Sequence, residues 1–520
     1  MRVKKLLRIL LYSLAALVAI LLLVAGATQT QIFRDGLRSF ALSRLDSLLD
    51  ADVQLGTITG NLISGFSIDH ISIRVGHDYV IMAERLDLRY DLFEIPGKKI
   101  SVDNLTLVRP HIALLRGRDS LWNFVRMVRP SPADTSKGKP FDWTLNVKHF
   151  QIDDGTLVLV DSASLAEPDH PAEDPYYVEY HNVALRRINL KASLVFSQEE
   201  KQAIISDFRF DADRPSFSLK GLTGDFRVTR TEARIKNMVL KTGVSQLAID
   251  ASMQDFDLLG GIELRDLQKK PVRLSLHAHD IDLNELKRFI QPIGFINSRA
   301  SLDLDAKGEF GELSITSLRL GFGESQFSIA GTLYNLQRPG DLYLNTRFER
   351  SIVFSPDVRT ILPTFNLPDL EALGHSKLSL TFVGKPLDFQ TRVALESDAG
   401  TVHAEGGLKI GGADRLQYKG KADYRGINLA AVTGNTHLKS DLNGTLEIDG
   451  RGVSLDNLLT TLDVQLDSSD LAGRYGEKAQ LRIEAADRRI TANGNLDMGS
   501  MRTRLSAASV FSAFFFPFTR

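Results

Sequence analysis

Leu320-Gly-Phe-Gly323-Glu-Ser325-Gln326-Phe327-Ser-Ile329-Ala-Gly331 matches Leu240-Lys-Thr-Gly243-Val-Ser245-Gln246-Leu247-Ala-Ile249-Asp-Ala251 at equal length. Each copy reads as a strand, a tight polar turn and a second strand, which is a β-hairpin. A looser third copy passes through Leu395, Gly400, Thr401, Val402, Ala404 and Gly406. The copies start roughly 75–80 residues apart, so the repeating unit holds several strands rather than a single hairpin. A second echo pairs Asp280-Ile-Asp-Leu283 with Gly426-Ile-Asn-Leu429, each following an alternating strand and leading into a short helix-like stretch.

Outward from these copies, apolar and polar residues alternate from residue 53 onward and are punctuated by Gly, Asn and Asp. That period marks antiparallel strands with one apolar face. Phe66, Ile68, Ile71 and Ile73 open the series, and the pairs and triplets described below continue it. Helical periodicity is confined to residues 32–49, 121–128, 283–290 and 455–462. In the first of these, Ile32, Leu37, Phe40, Ala41, Leu45 and Leu48 share a stripe, which predicts a helix capping the first strands. The Pro-rich stretches 129–140 and 162–175 read as loop insertions, because proline cannot donate to a ladder. Residues 499–520 break the alternation with an aromatic cluster and read as an atypical tail, as if the array stopped before its natural end.

The chain opens with an apolar run through Leu6, Leu10, Leu14, Leu17, Leu21 and Val24, behind Arg2, Lys4, Lys5 and Arg8. On the order of 20 such residues suffice for a helix to cross a bilayer. The basic flank places the N-terminus in the cytoplasm and the bulk outside the inner membrane, in the periplasm. A signal peptide cleaved after Ala25-Gly26-Ala27 is the competing reading; the run is longer than an ordinary signal core, which favours a retained anchor. The expected organisation is a basic tip and anchor over 1–30, a cap with the first strands over 31–128, a repetitive β region over 129–498, and the tail over 499–520.

Lys and Arg number 63 against 64 Asp and Glu, so no concentrated positive field exists for nucleic acid. Cysteine is absent, which excludes disulfides and thiolate metal sites and suits an oxidising compartment. Strands with one apolar face need a cover, and the helices are too few and too short to supply it. Either the strands fold into successive sandwiches, or the sheet curls into an open, taco-like trough whose apolar lining meets acyl chains. The candidates for such a lining are Ile188, Leu190, Leu274, Leu276, Leu302, Leu304, Leu320, Phe327, Ile329, Leu378, Leu380, Phe382, Leu446, Ile448, Val464 and Leu466. With strands and turns of about 10–12 residues, some 40 strands are expected.

The anchor, the segment Gly60-Asn-Leu-Ile-Ser-Gly-Phe66-Ser-Ile-Asp-His-Ile-Ser-Ile73, and the runs at 83–92 and 100–114 resemble the start of the AsmA-like superfamily. The nearest likeness is to the translocation and assembly module inner-membrane subunit (TamB) family, and it extends more loosely through the repeats to about residue 498. The resemblance implies a single-span inner-membrane protein whose β-taco carries phospholipid across the periplasm and works with an Omp85-class outer-membrane barrel. The C-terminal domain through which that family meets its barrel is not recognisable here, which puts the barrel contact in doubt.

No catalytic or cofactor constellation stands out. His277 and His279 share a strand face at a spacing a metal could use, yet no third ligand is predictable. Asp303 and Asp305 alternate with Leu302 and Leu304 as the outer face of a strand. Gly-Lys-Pro at 138–140 and 384–386 reads as turns, since the strand–helix setting and Ser/Thr of a phosphate loop are missing. Trp122 and Phe124 lie near Arg116, Arg118, Arg126 and Arg129; packing on the first sheet is favoured over contact with a headgroup. The expectation is a non-enzymatic lipid-transfer protein that needs no cofactor or metal. A scaffold that receives outer-membrane protein strands by β-augmentation is the alternative.

Overall fold

The computed structural model describes residues 30–61, 64–127, 142–165, 181–213, 216–255, 264–286, 298–361, 373–411, 416–452, 457–471, 473–486, 488–498 and 501–510. The anchor residues Leu6, Leu10, Leu14, Leu17, Leu21 and Val24 lie outside them, as does the insertion at 129–140. No described helix is long and apolar enough to cross a membrane. The chain is mainly β, with twenty-seven strands among the described residues where about forty were expected. Strands of 9 to 18 residues are common, and connections between many of them carry short helices, so each strand takes up more chain than assumed. The strands fall into two compact units that divide near residue 250.

In the first unit, helix Gln31–Leu48 lies against strands Asp52–Leu55 and Ile58–Asn61; of its expected stripe, Leu45 is half-buried while Phe40 is 59% exposed. Both strands pair with Gly65–Val75, which pairs in turn with Asp78–Asp91. Strands Lys99–Val108 and His111–Arg116 then lie along Asp78–Asp91, and both pair in parallel with Thr144–Asp161. This parallel step departs from the all-antiparallel expectation. The chain between Arg116 and Thr144 is long enough for a crossover, which a hairpin turn is not. Antiparallel pairing resumes through Asn182–Phe196 and Glu200–Ala212 to Gly221–Thr229 and Glu232–Lys241.

The second unit is an antiparallel meander of fourteen strands, from Pro271–Asp282 to Met501–Val510. A four-strand period runs through it. Bulges at Ala278/Ile281, Phe348/Ser351 and Tyr424/Ile427 each precede a short helix: Leu283–Leu286, Ser355–Ile361 and Leu429–Thr433. The two helical echoes read from the sequence are therefore equivalent connections, with a third between them. The hairpins at 320–331 and 395–406 pair as expected, Leu320 opposite Phe327 and Leu395 opposite Val402.

A helical connection pins the tip of the hairpin before it. Asp357 Oδ2 accepts bonds from Glu324 N (2.9 Å), Ser325 N (2.8 Å) and Ser325 Oγ (2.8 Å), while Ser325 Oγ accepts from Phe354 N. Ser325 is fully buried by this arrangement. Gly323 completes it: its φ is +57°, and a Cβ there would lie 2.3 Å from Asp357 Oδ1. One period later Asn428 N donates to Ala399 O (2.9 Å), and Ala399 is 1% exposed.

Two expectations fail in detail. Residues 459–462, read as helical, begin strand Leu459–Leu471, because Leu462, Val464 and Leu466 impose period two there. Residues 501–510, assigned to the tail, form a strand paired with Arg489–Met498.

Candidate functional site

Because partners across an antiparallel ladder share a face, the register of the second unit can be read strand by strand. One row runs Leu276, Leu304, Leu318, Ile329, Phe348, Leu380, Val393, Ala404, Ala422, Leu446, Val464, Leu481, Gly494, Leu505, each residue opposite the next. Fourteen consecutive strands thus place no polar side chain in this row. Of the expected lining residues, Leu274, Leu302, Leu320, Phe327, Leu378, Phe382, Ile448 and Leu466 fall on the same face in flanking rows. Ile188 and Leu190 belong to the first unit, half-buried opposite Gly155 and Ile152.

Burial along the face is uneven. Leu313 (5% exposed), Ile315 (7%) and Ile329 (7%) are covered. Beyond Ile329, the only buried apolar residues among those described are Ala399 and Ala485. Phe348, Leu380, Val393, Leu446 and Val464 are half-buried, and Leu481 and Leu505 are exposed. In a sandwich a second sheet at about 10 Å buries such residues fully. From Tyr343–Phe354 onward the large apolar side chains of the row are half-buried or exposed, while the smaller Thr346, Ser376 and Ala485 on the same face are buried.

Leu318, Phe348, Val393, Leu481 and Leu505 belong to the face although the sequence reading did not select them. Their alternation was visible, but Thr346 and Thr391 on the same face interrupt the run of apolar residues around Phe348 and Val393.

The opposite face is charged. Lys419 pairs with Asp449 (2.8 Å), Lys409 with Asp388 (3.2 Å), Lys421 with Glu405 (3.3 Å) and Arg482 with Glu484 (2.9 Å). All are exposed and screened by solvent, so their main effect is solubility rather than stability. Concavities of about 1720, 520 and 430 Å³ lie over this face among the described residues.

His277 and His279 do not converge on a metal, and no group of three His, Cys, Asp or Glu side chains among the described residues could hold one. His277 Nδ1 instead meets Asp303 Oδ1 (3.0 Å), and its Nε2 meets Ser275 Oγ (3.0 Å). The hydrogen bond from His277 holds the Asp303 carboxyl below the usual range. This order of groups is that of a hydrolytic triad. Here, however, Ser275 Oγ also lies 2.7 Å from Asp305, a better acceptor for its proton, and the whole chain of bonds sits on the exposed strand face.

At Trp122 and Phe124 the anchoring residue is their neighbour. Asn123 is 5% exposed, donates to Ala113 O (2.7 Å) and accepts from Leu115 N (3.1 Å). Trp122 stacks on Phe124 (5.9 Å between centroids), and Phe124 remains 40% exposed. Gly384-Lys-Pro ends a strand at a tight turn into Asp388, as expected.

Fold and site together define a mainly β protein whose repetitive sheet is apolar on one face and charged on the other. No protein family, curated protein or solved structure matches the chain.

Proposed function

We propose that the apolar face of the second unit binds lipid acyl chains and that the protein transfers phospholipid between membranes, from an inner-membrane anchor toward the outer membrane. The observation that carries this reading is the uninterrupted apolar row from Leu276 to Leu505 with half-buried or exposed side chains past Ile329. Exposed apolar surface of this extent is unfavourable in water at about 25 cal/mol per Å² and needs an occupant. Acyl chains suit a surface with no polar partner to offer, because they require contact without directional bonds. A sheet curled about that face, a taco-like trough, would let lipid pass from strand to strand. The resemblance of residues 60–114 to AsmA-like proteins supports the same reading.

A scaffold for outer-membrane protein assembly is the second reading. It is favoured by strand Met501–Val510, which pairs on one side only among the described residues and could accept an incoming strand.

Photocrosslinking separates the two. A photoreactive phenylalanine analogue replacing Leu380 or Val464 is expected to capture phospholipid, whereas the same group replacing Thr381 or Asp463 on the charged face is not. Capture of a client polypeptide along strand 501–510, with no lipid at 380 or 464, would transfer support to the scaffold.

A further inference from the structure

The charged face is balanced almost everywhere. In the 1720 Å³ concavity six cations, among them Arg392, Lys419 and Arg482, meet six carboxylates. In the 520 Å³ concavity three cations meet three. The 430 Å³ cavity breaks this rule: Arg299, Arg319 and Arg350 line it against only Asp280 and Asp303.

The three guanidiniums are also weakly engaged. Arg299 lies 3.8 Å from Asp280 and Arg319 lies 3.5 Å from Asp303, both long for charge-assisted hydrogen bonds. Asp303 is shared with His277 at 3.0 Å. Arg350 is exposed and has no partner among the described residues. It stands in the bulge between Phe348 and Ser351, at φ +54°, an uncommon conformation for a long side chain. Asp357, beside the cavity-lining Gly323, already accepts three hydrogen bonds. The space itself exists because small residues lie between the arginines, with Gly321 opposite Ser301.

We propose that this cavity is an anion site for a phosphoryl group. A guanidinium offers parallel N–H donors that match two oxygens at once, and three of them exceed what the two oxygens of a carboxylate can accept. A phosphate monoester presents three terminal oxygens and up to two negative charges, which the excess arginine would neutralise. The site lies on the face opposite the acyl-binding row, so it stands independently of the lipid-transfer reading. The phosphoryl group belongs either to a soluble phosphate or to a lipid headgroup.

The test is calorimetric titration of the full chain at low ionic strength, with inorganic phosphate and with dihexanoyl phosphatidate below its micelle concentration. With phosphate, saturable binding at one site per chain is expected, weakened about tenfold in R350N, which keeps a residue tolerant of positive φ, and in R319Q; with phosphatidate the same R350N- and R319Q-sensitive step is expected beside any acyl-chain binding to the opposite face. R392Q, on the balanced part of the face, is expected to bind as the parent does. In the step that R350N and R319Q weaken, phosphatidate affinity at least tenfold tighter than that of phosphate would make the ligand a headgroup; equal affinities would make it a soluble phosphate. Absence of saturable binding to either probe, or equal weakening by R392Q, would overturn the proposal.

Discussion

Ile329 and Leu481 stand in the same cross-strand row and alternate in the same way, yet Ile329 is 7% exposed and Leu481 36%. Truncation separates core from lining. Ile329→Ala removes packed methyl groups and should cost about 2–4 kcal/mol, whereas Leu481→Ala should cost less than about 1 kcal/mol, both read from urea denaturation without lipid. Comparable losses at both positions would show that the face is covered throughout. Asp303 gives a pH-dependent counterpart. Its folded pKa is depressed, first by the hydrogen bond from His277, so its contribution is present above the unfolded value of about 3.9 and is lost as pH falls through the folded one. In H277A the Asp303 carboxyl should titrate closer to the ordinary range, as carboxyl-detected NMR would report. At this scale the sequence was half legible. Alternation assigned Asp303 to the outer face, but its partner, 26 residues away, depends on a register no local pattern specifies. The excess of arginine around Arg350 was invisible for the same reason, since its members come from separate strands.

Hairpins and their helical connections were the most legible elements, because a tight turn and a change of period are local signals. The pin between them was not. Asp357 reaches Ser325 across 32 residues, and nothing in Ser-Pro-Asp at 355–357 announces more than a helix start. D357A should therefore cost about 2–3 kcal/mol, by leaving the buried Ser325 N–H and hydroxyl without their charged acceptor. Hydrogen exchange should localise the loss to the Phe322/Ser325 turn and the end of strand Tyr343–Phe354. A loss spread evenly over the second unit would mean that the helix is not a local staple. The parallel pairing of Thr144–Asp161 was missed because it is set by the crossover path, to which period-two alternation is blind. Bulges at 278/281, 348/351 and 424/427 were missed too, although they recur every fourth strand, each just before a helical connection.

For the molecule as a whole, the division of the second unit's sheet into an apolar and a charged face was readable from alternation alone. What covers the apolar face was not, because core and lining residues obey the same pattern. Past Ile329 the large apolar side chains of the row, from Phe348 to Leu505, are half-buried or exposed. Under the proposed function lipid occupies this face, and its stoichiometry is the most direct test. Native mass spectrometry of the full chain, extracted in mild detergent and followed by lipid analysis, should find several phospholipids per chain, with fewer when Leu380 and Val464 are replaced by Asp. A chain that carries no lipid and unfolds cooperatively as a compact protein would contradict the account.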